Sequence, residues 1–258
     1  MRVLTWNLFH GRSLPGSGRD LTAEFAETIA GWAWDVALLQ EVPPWWGPAL
    51  GRASGASART ALTSRNALLP LRKALATRFP DVVKSEGGGS NTILVRGQAI
   101  VEHRYATLRL RPERRVVHAV RTADGVWWGN IHAQVHSDEH ALADAREAAR
   151  ELLAWSAGAA RVVFGGDWNI RRPIAPGFVH LGGNNIDHVL ARGWKRVGAR
   201  LLDAGTLSDH NPVLVEMEAG RPSKEEAIAS IEAVLGGDAA DRPPTPEAIV
   251  ADLAADRR

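Results

Sequence analysis

The stretch Val162-Val163-Phe164-Gly165-Gly166-Asp167-Trp168-Asn169 decides how this chain is read. Its first three residues are β-branched or aromatic and suit a covered, pleated surface, so 162–164 are expected to form a buried strand. Two glycines follow, which let a backbone turn tightly or come close to a ligand. In an extended segment side chains two apart point the same way. Asp167 and Asn169 then share one face at the strand's end, an acceptor and potential base beside an amide that both donates and accepts. The same residue types favour a plain turn, so the meaning of the stretch depends on what surrounds it.

Immediately before it, Glu139 to Trp155 alternates Ala and Leu with Asp, Arg and Glu at helical spacing, which predicts an amphipathic helix. After it, Ile186–Leu190, Val197–Leu202 and Pro212–Met217 read as strands. Toward the N-terminus the pattern recurs. Arg2–Trp6 reads as a strand, a helix from about Asp20 to Trp34 carries Leu21, Phe25, Ile29 and Trp32 on one face, and Asp35–Gln40 is a second buried strand. Residues 45–70 read as a long loop with short helical pieces, and Leu71–Phe79 as a helix stopped by Pro80. Gly87–Gly89 reads as a flexible joint. Asn91–Val95, Val101–Arg109, Val116–Thr122 and Val126–Ile131 complete the strands, with Asp124-Gly125 as a hairpin signal. Strands alternating with helices define an α/β protein. The catalytic domain is expected to span 1–218, with 219–258 a partly flexible appendage holding helices near 224–235 and 247–256 around a Gly/Asp/Pro linker.

Composition narrows the chemistry. The 258 residues are 45% apolar and 23% charged, ordinary for a globular chain, and they include no cysteine. Disulfides, thiolate metal sites and a cysteine nucleophile are therefore excluded. No stretch reaches the roughly 18 apolar residues of a membrane span, and the N-terminus lacks a signal-like layout, so a cytoplasmic location is the expectation. The net charge of +2 is uneven: residues 219–258 hold 5 basic against 8 acidic side chains, and the rest 26 against 21. An Arg-rich body suits a phosphate-bearing ligand.

Polar residues follow the apolar runs one after another. Asn7 comes after Val3–Trp6, Glu41 after Val36–Gln40, His132 after Trp127–Ile131, and Asp167 and Asn169 after Val162–Phe164. Asp187 lies inside 185–190, and Asp209-His210 precedes Asn211–Val215. In α/β folds ligand chemistry collects at strand ends, and this set makes a hard, oxygen-rich site.

The motifs Thr5-Trp6-Asn7, Leu39-Gln40-Glu41, Asn130-Ile131-His132, Gly166-Asp167-Trp168-Asn169, Ile186-Asp187 and Ser208-Asp209-His210-Asn211-Pro212 occur in that order over residues 5–212. Together they resemble the endonuclease/exonuclease/phosphatase superfamily, which includes deoxyribonuclease-like and exonuclease III-like enzymes, sphingomyelinases and inositol-polyphosphate 5-phosphatases. The resemblance implies a four-layer α/β sandwich, two central mixed β-sheets flanked by helices. It implies hydrolysis of a phosphoester by a metal-activated water, with Mg²⁺ as the cation and Mn²⁺ as a substitute. Glu41 would carry the metal, with Asn7 in or next to its coordination sphere and Asp209 nearby. Asp167 would orient or deprotonate water, Asn169 and His132 would bind phosphate oxygens, and His210 would act with Asp187 behind it. Asn91 and Arg115 are further candidates for phosphate contact.

Two departures bear on the substrate. Tyr105 is the only tyrosine and does not fit the place where exonuclease III-like enzymes carry one, and His188 stands after Asp187 where the family often has an aromatic residue. The first weakens an abasic-site reading; the leading expectation is a metal-dependent phosphodiesterase, more specifically a nuclease. The alternatives are an enzyme of small-molecule or lipid phosphoesters and, against the complete polar set, a silent binding protein of the same fold. A protein partner for the C-terminal segment is left open.

Overall fold

The structure, a computed structural model, describes residues 1–220. The two helices expected in the C-terminal segment lie outside these residues. In chain order the strands are Arg2–Asn7 (β1), Val36–Val42 (β2), Ala56–Leu62 (β3), Ser90–Arg96 (β4), Ile100–Arg109 (β5), Arg115–Thr122 (β6), Trp127–His132 (β7), Val162–Asp167 (β8), Val179–Asn184 (β9), Asp187–Arg192 (β10), Trp194–Leu201 (β11) and Val213–Ala219 (β12). The α-helices are Thr22–Gly31 (α1), Gly47–Ser54 (α2), Leu69–Arg78 (α3), Pro80–Val83 (α4) and Asp138–Trp155 (α5).

The strands form two six-stranded sheets, ordered β11-β12-β1-β2-β4-β3 and β5-β6-β7-β8-β10-β9. Each sheet has one parallel pair near its middle, β1–β2 and β7–β8, among antiparallel neighbours. Period-two alternation sorts the side chains. Val3, Val36, Leu38, Val163 and Val189 turn inward and fuse the two sheets. Leu4, Trp6 and Leu39 turn outward onto Phe25, Ile29 and Leu50 of α1 and α2. Val117, Ile131 and Phe164 turn outward onto Ala141, Ala145, Ala148 and Leu152 of α5. The result is the four-layer sandwich expected from the sequence.

Buried polar side chains stitch the sheets together just below the strand ends. Gln40 Nε2 donates to Asn130 Oδ1 at 2.8 Å across the sandwich, and Asn130 Nδ2 donates to the Leu39 carbonyl at 3.0 Å. A buried amide pair of this kind fixes the relative register of two sheets, because leaving either partner unbonded costs its desolvation. Two of the motif residues thus hold the scaffold rather than face the cleft.

Several local expectations change. Residues 56–62 are an edge strand, not loop, and 179–184 form β9, a strand with no clear signal in the sequence. Helix α1 stops at Gly31, short of Trp34, whose indole Nε1 donates to the Ile29 carbonyl at 2.7 Å. Gly87–Gly89 are buried rather than a free joint, with Gly89 N bonded to the Ser64 carbonyl at 3.1 Å.

Candidate active site

The C-terminal ends of the parallel pairs β1–β2 and β7–β8 come together at one edge of the sandwich and deliver Asn7, Glu41, His132 and Asp167 to a single cleft. Asp167 sits at its floor. Its position depends on Gly166, whose φ of 146° is unfavourable for a side chain, and where a Cβ would meet the Ile131 carbonyl oxygen at 1.9 Å. Asp167 Oδ2 accepts from Asn7 Nδ2 at 2.9 Å, and Oδ1 accepts from the Asn169 backbone N–H at 3.0 Å. Asn169, itself at φ 52°, uses Nδ2 to hold the Ala133 carbonyl at 2.9 Å.

The antiparallel β8–β10 pairing places Asp187 directly opposite Asp167. Asp187 Oδ2 and His210 Nδ1 are 2.7 Å apart, and His210 Nε2 lies 3.9 Å from Asp167 Oδ2. The loop carrying His210 is anchored from both sides. Ser208 Oγ donates to the Asn7 carbonyl at 2.6 Å and accepts from the His210 N–H at 3.1 Å, while Trp6 Nε1 donates to the His210 carbonyl at 2.9 Å.

Protonation follows from this layout. Burial pushes Asp167 up, the facing Asp187 adds to the push, and it stands at about 7. Burial would lower His210, but its hydrogen bond to Asp187 and the surrounding carboxylates outweigh that and raise it to about 9. Burial also raises Asp187, which His210 opposes. His132 faces the other way. It is buried, with Nε2 3.5 Å from Asp167 and 3.8 Å from Glu41, and burial together with nearby Arg115 holds it well below the usual imidazole range. The floor therefore combines one cationic imidazole, one neutral imidazole and a carboxylate poised near neutrality.

Glu41 is half-buried on the wall, with a positive φ of 50°, and its Oε2 lies 3.0 Å from His10 Nε2. In the sequence His10 stands only at the start of a loop, yet it lies in the cleft at φ 54°. Asp209 also lines the cleft. Arg115 is buried at the start of β6, bonded to Gln134 Oε1 at 3.3 Å and Glu113 Oε2 at 2.7 Å, and lines the cleft. Asn91 is not among the lining residues. It is buried between the sheets, with Nδ2 at 3.5 Å from the Val116 carbonyl. Arg109, at the end of β5, pairs instead with Asp144 of α5 at 2.8 Å. His136 and His140 form no ligand cluster among the described residues, and Ser137 caps α5 by accepting the His140 N–H.

The donors fit a hard divalent cation: carboxylate and amide oxygens, no sulfur, and a buried Asp187 Oδ1 that lacks a hydrogen-bond partner. Asp167, Asp187 and His210 bring ligand atoms within 4.8 Å of one another. A histidine protonated on both nitrogens has no lone pair to offer a metal; Glu41 and Asp209 line the same cleft and bring further carboxylate oxygens to it.

The sequence matches the model of the Endonuclease/Exonuclease/phosphatase family over residues 4–210, and the chain belongs to that family. Family members are hydrolases of phosphoester bonds and depend on a divalent metal. A comparison with curated proteins finds no match. Among solved structures, the chain is similar to an endonuclease/exonuclease/phosphatase from Beutenbergia cavernae, at 19% identity, 85% coverage of this chain and 72% of the other, and a TM-score of 0.63. It is also similar to TDP2 from Caenorhabditis elegans, at 16% identity, coverage of 85% and 74%, and a TM-score of 0.60. A mannosyl-6-phosphatase from Bacteroides thetaiotaomicron gives 14% identity, coverage of 84% and 99%, and a TM-score of 0.57. At these identities the likeness speaks for the fold.

Proposed function

We propose that the chain is a Mg²⁺-dependent phosphodiester hydrolase, with Mn²⁺ as a substitute, acting as a nuclease. The observation that carries this reading is the convergence at one cleft floor of Asp167, held by Asn7 at 2.9 Å, with His210, whose Nδ1 lies 2.7 Å from the buried Asp187 and whose Nε2 lies 3.9 Å from Asp167. Glu41 and Asp209 would hold the cation, which when bound supplies Lewis-acid neutralisation of phosphate charge. As built, Asn7 turns its Nδ2 to Asp167 and its Oδ1 to the Phe9 N–H, so it supports the base more directly than the metal.

Asp167 takes the proton of the attacking water, and a base with a pKa of about 7 is matched to that task at neutral pH. The water oxygen bonds to phosphorus as the ester P–O bond breaks. Negative charge building on the phosphoryl oxygens is met by His210 Nε2–H, by the second amide hydrogen of Asn169 and by His132. Asp187 keeps the His210 proton on Nδ1 and offsets the ring's positive charge.

Arg12, Arg65, Lys84 and Arg115 around the cleft support a polyanionic substrate. One observation favours a smaller phosphoester. Arg12 is paired with Asp81, Arg65 with Glu113 and Glu86, and Arg115 with Glu113, so much of the positive charge at the mouth is already balanced. The test is a panel of plasmid DNA, single-stranded RNA, abasic duplex and a small aryl phosphodiester, each with Mg²⁺, with Mn²⁺ and with chelator. Cleavage of nucleic acid that weakens steeply with salt supports the nuclease reading. Turnover of the aryl ester alone assigns the cleft to small phosphoesters, and full activity in chelator removes the metal from the account.

A further inference from the structure

Helix α3 leaves most of its larger apolar side chains uncovered. Its half-buried positions are Leu69, Arg72 and Ala76. Leu71 and Leu75 of α3, together with Leu68 before it, Phe79 between the two helices and Val82 of α4, are exposed at 56%, 44%, 75%, 48% and 80%. None of the ten residues of α3 is buried. A helix packed on a globular core presents the opposite arrangement. Single exposed apolar residues are ordinary, but a continuous stripe of them marks an interaction surface.

The charges beside the stripe say what it meets. Lys73, Arg78 and Lys84 are exposed cations of the same stretch, and the Arg78 guanidinium lies over the Phe79 ring at 4.9 Å. The acid in this stretch, Asp81, turns away to Arg12 at 3.3 Å and to the Gly18 N–H at 2.6 Å. The stripe is also continuous with the catalytic cleft, because Lys84 and Ser85, directly after α4, line it.

We propose that the α3–α4 stripe docks the protein on an anionic phospholipid surface. Leucine, phenylalanine and valine side chains would enter the boundary between headgroups and acyl chains while the cations sit among lipid phosphates. A second copy of this chain seated on the same face would set Lys73, Arg78 and Lys84 against their own counterparts, a repulsion that an anionic bilayer replaces with attraction. This is surface docking and not insertion: among the described residues no helix is long and apolar enough to cross a membrane. The stripe is short, so binding is reversible and needs both the apolar contacts and the charge. Docking brings the cleft mouth beside the phosphodiesters of the interface. The proposal does not depend on which phosphodiester the cleft hydrolyses.

The test is sedimentation of the full chain with vesicles of phosphatidylglycerol mixed with phosphatidylcholine, and with phosphatidylcholine alone. Binding is expected on the anionic vesicles and should weaken as salt rises. The variant Leu71→Ser/Leu75→Ser/Val82→Ser should lose about tenfold or more of that binding, since each buried apolar side chain contributes to seating. Lys73→Gln/Arg78→Gln should lose its salt-sensitive part. Both variants should keep the wild-type thermal melt and the wild-type rate on a soluble aryl phosphodiester, which separates docking from the chemistry of the cleft. Three results overturn the proposal. One is no sedimentation of the full chain with the anionic vesicles. Another is undiminished binding by the serine variant. The third is a concentration-dependent dimer that the serine variant abolishes, which assigns the stripe to a second copy.

Discussion

Two imidazoles on opposite faces of one short strand end up in opposite charge states. β10 turns Asp187 toward the cleft, where it meets His210 Nδ1 at 2.7 Å. One residue later it turns His188 to the other side, against His180 Nε2 at 3.1 Å and the carbonyls of Ile170 and Asn185. Burial alone favours the neutral ring in both places. In the cleft, carboxylates reverse that preference and His210 rises to about 9. Behind the strand, burial dominates, the neighbouring imidazole adds to it, and His188 falls to about 4. For His210 and His188 the face of β10 that each meets, rather than depth, separates their charge states.

The comparison is broken most severely by removing the charge that the cleft face exists to handle. Asp167→Asn keeps the shape but cannot take a proton, so kcat should fall by about two powers of ten or more while KM changes little. Steady-state kinetics on a phosphodiester at saturating Mg²⁺ measures this, and near-normal turnover would remove Asp167 as the base.

A smaller and more specific effect concerns His210. Its raised pKa predicts that the alkaline limb of kcat/KM lies near pH 9. Asp187→Asn removes the group that raises it, so the limb should move down toward the ordinary imidazole value of about 6.5. A limb that stays in place would assign it to another group.

The smallest effect belongs to the far face. His188 has a folded pKa of about 4, below its unfolded value, so the unfolded chain binds the proton first as pH falls. Its contribution is fully present above about pH 6.5 and is lost between about 6.5 and 4, on the order of 3 kcal/mol in all. The melting temperature, followed across that window, should fall less steeply in His188→Gln than in the wild type.

The parts legible in the sequence are those with local signals. Val162–Phe164 and Val36–Gln40 are runs long enough to announce buried strands, the second followed at once by Glu41 and the first, after two glycines, by Asp167. The amphipathic period of Glu139–Trp155 locates α5 within a residue of its start. Ala56–Leu62 escapes such reading because an edge strand of Ala, Ser, Arg and Thr has no apolar run, its existence depending on pairing with β4. His10 escapes it because its place beside Glu41 is set by a left-handed turn after β1, which no spacing rule reveals. Asn91 resembles a cleft residue because it follows a glycine run at a strand start, but in β4 its side chain faces the opposite sheet. Motif order locates the site, while the protonation states within it depend on contacts such as Asp187–His210 between residues 23 apart.

The central claim is that Asp187 and His210 act as one unit on the cleft face of β10. A double-mutant cycle on kcat/KM, with Asp187→Asn, His210→Ala and the pair assayed on one phosphodiester at saturating Mg²⁺, tests it most directly. If the carboxylate works through the imidazole, the double variant is little worse than His210→Ala alone, because once the ring is gone Asp187 has nothing left to hold. If the two losses multiply as independent effects, Asp187 and His210 act separately and the coupled mechanism of the cleft is wrong.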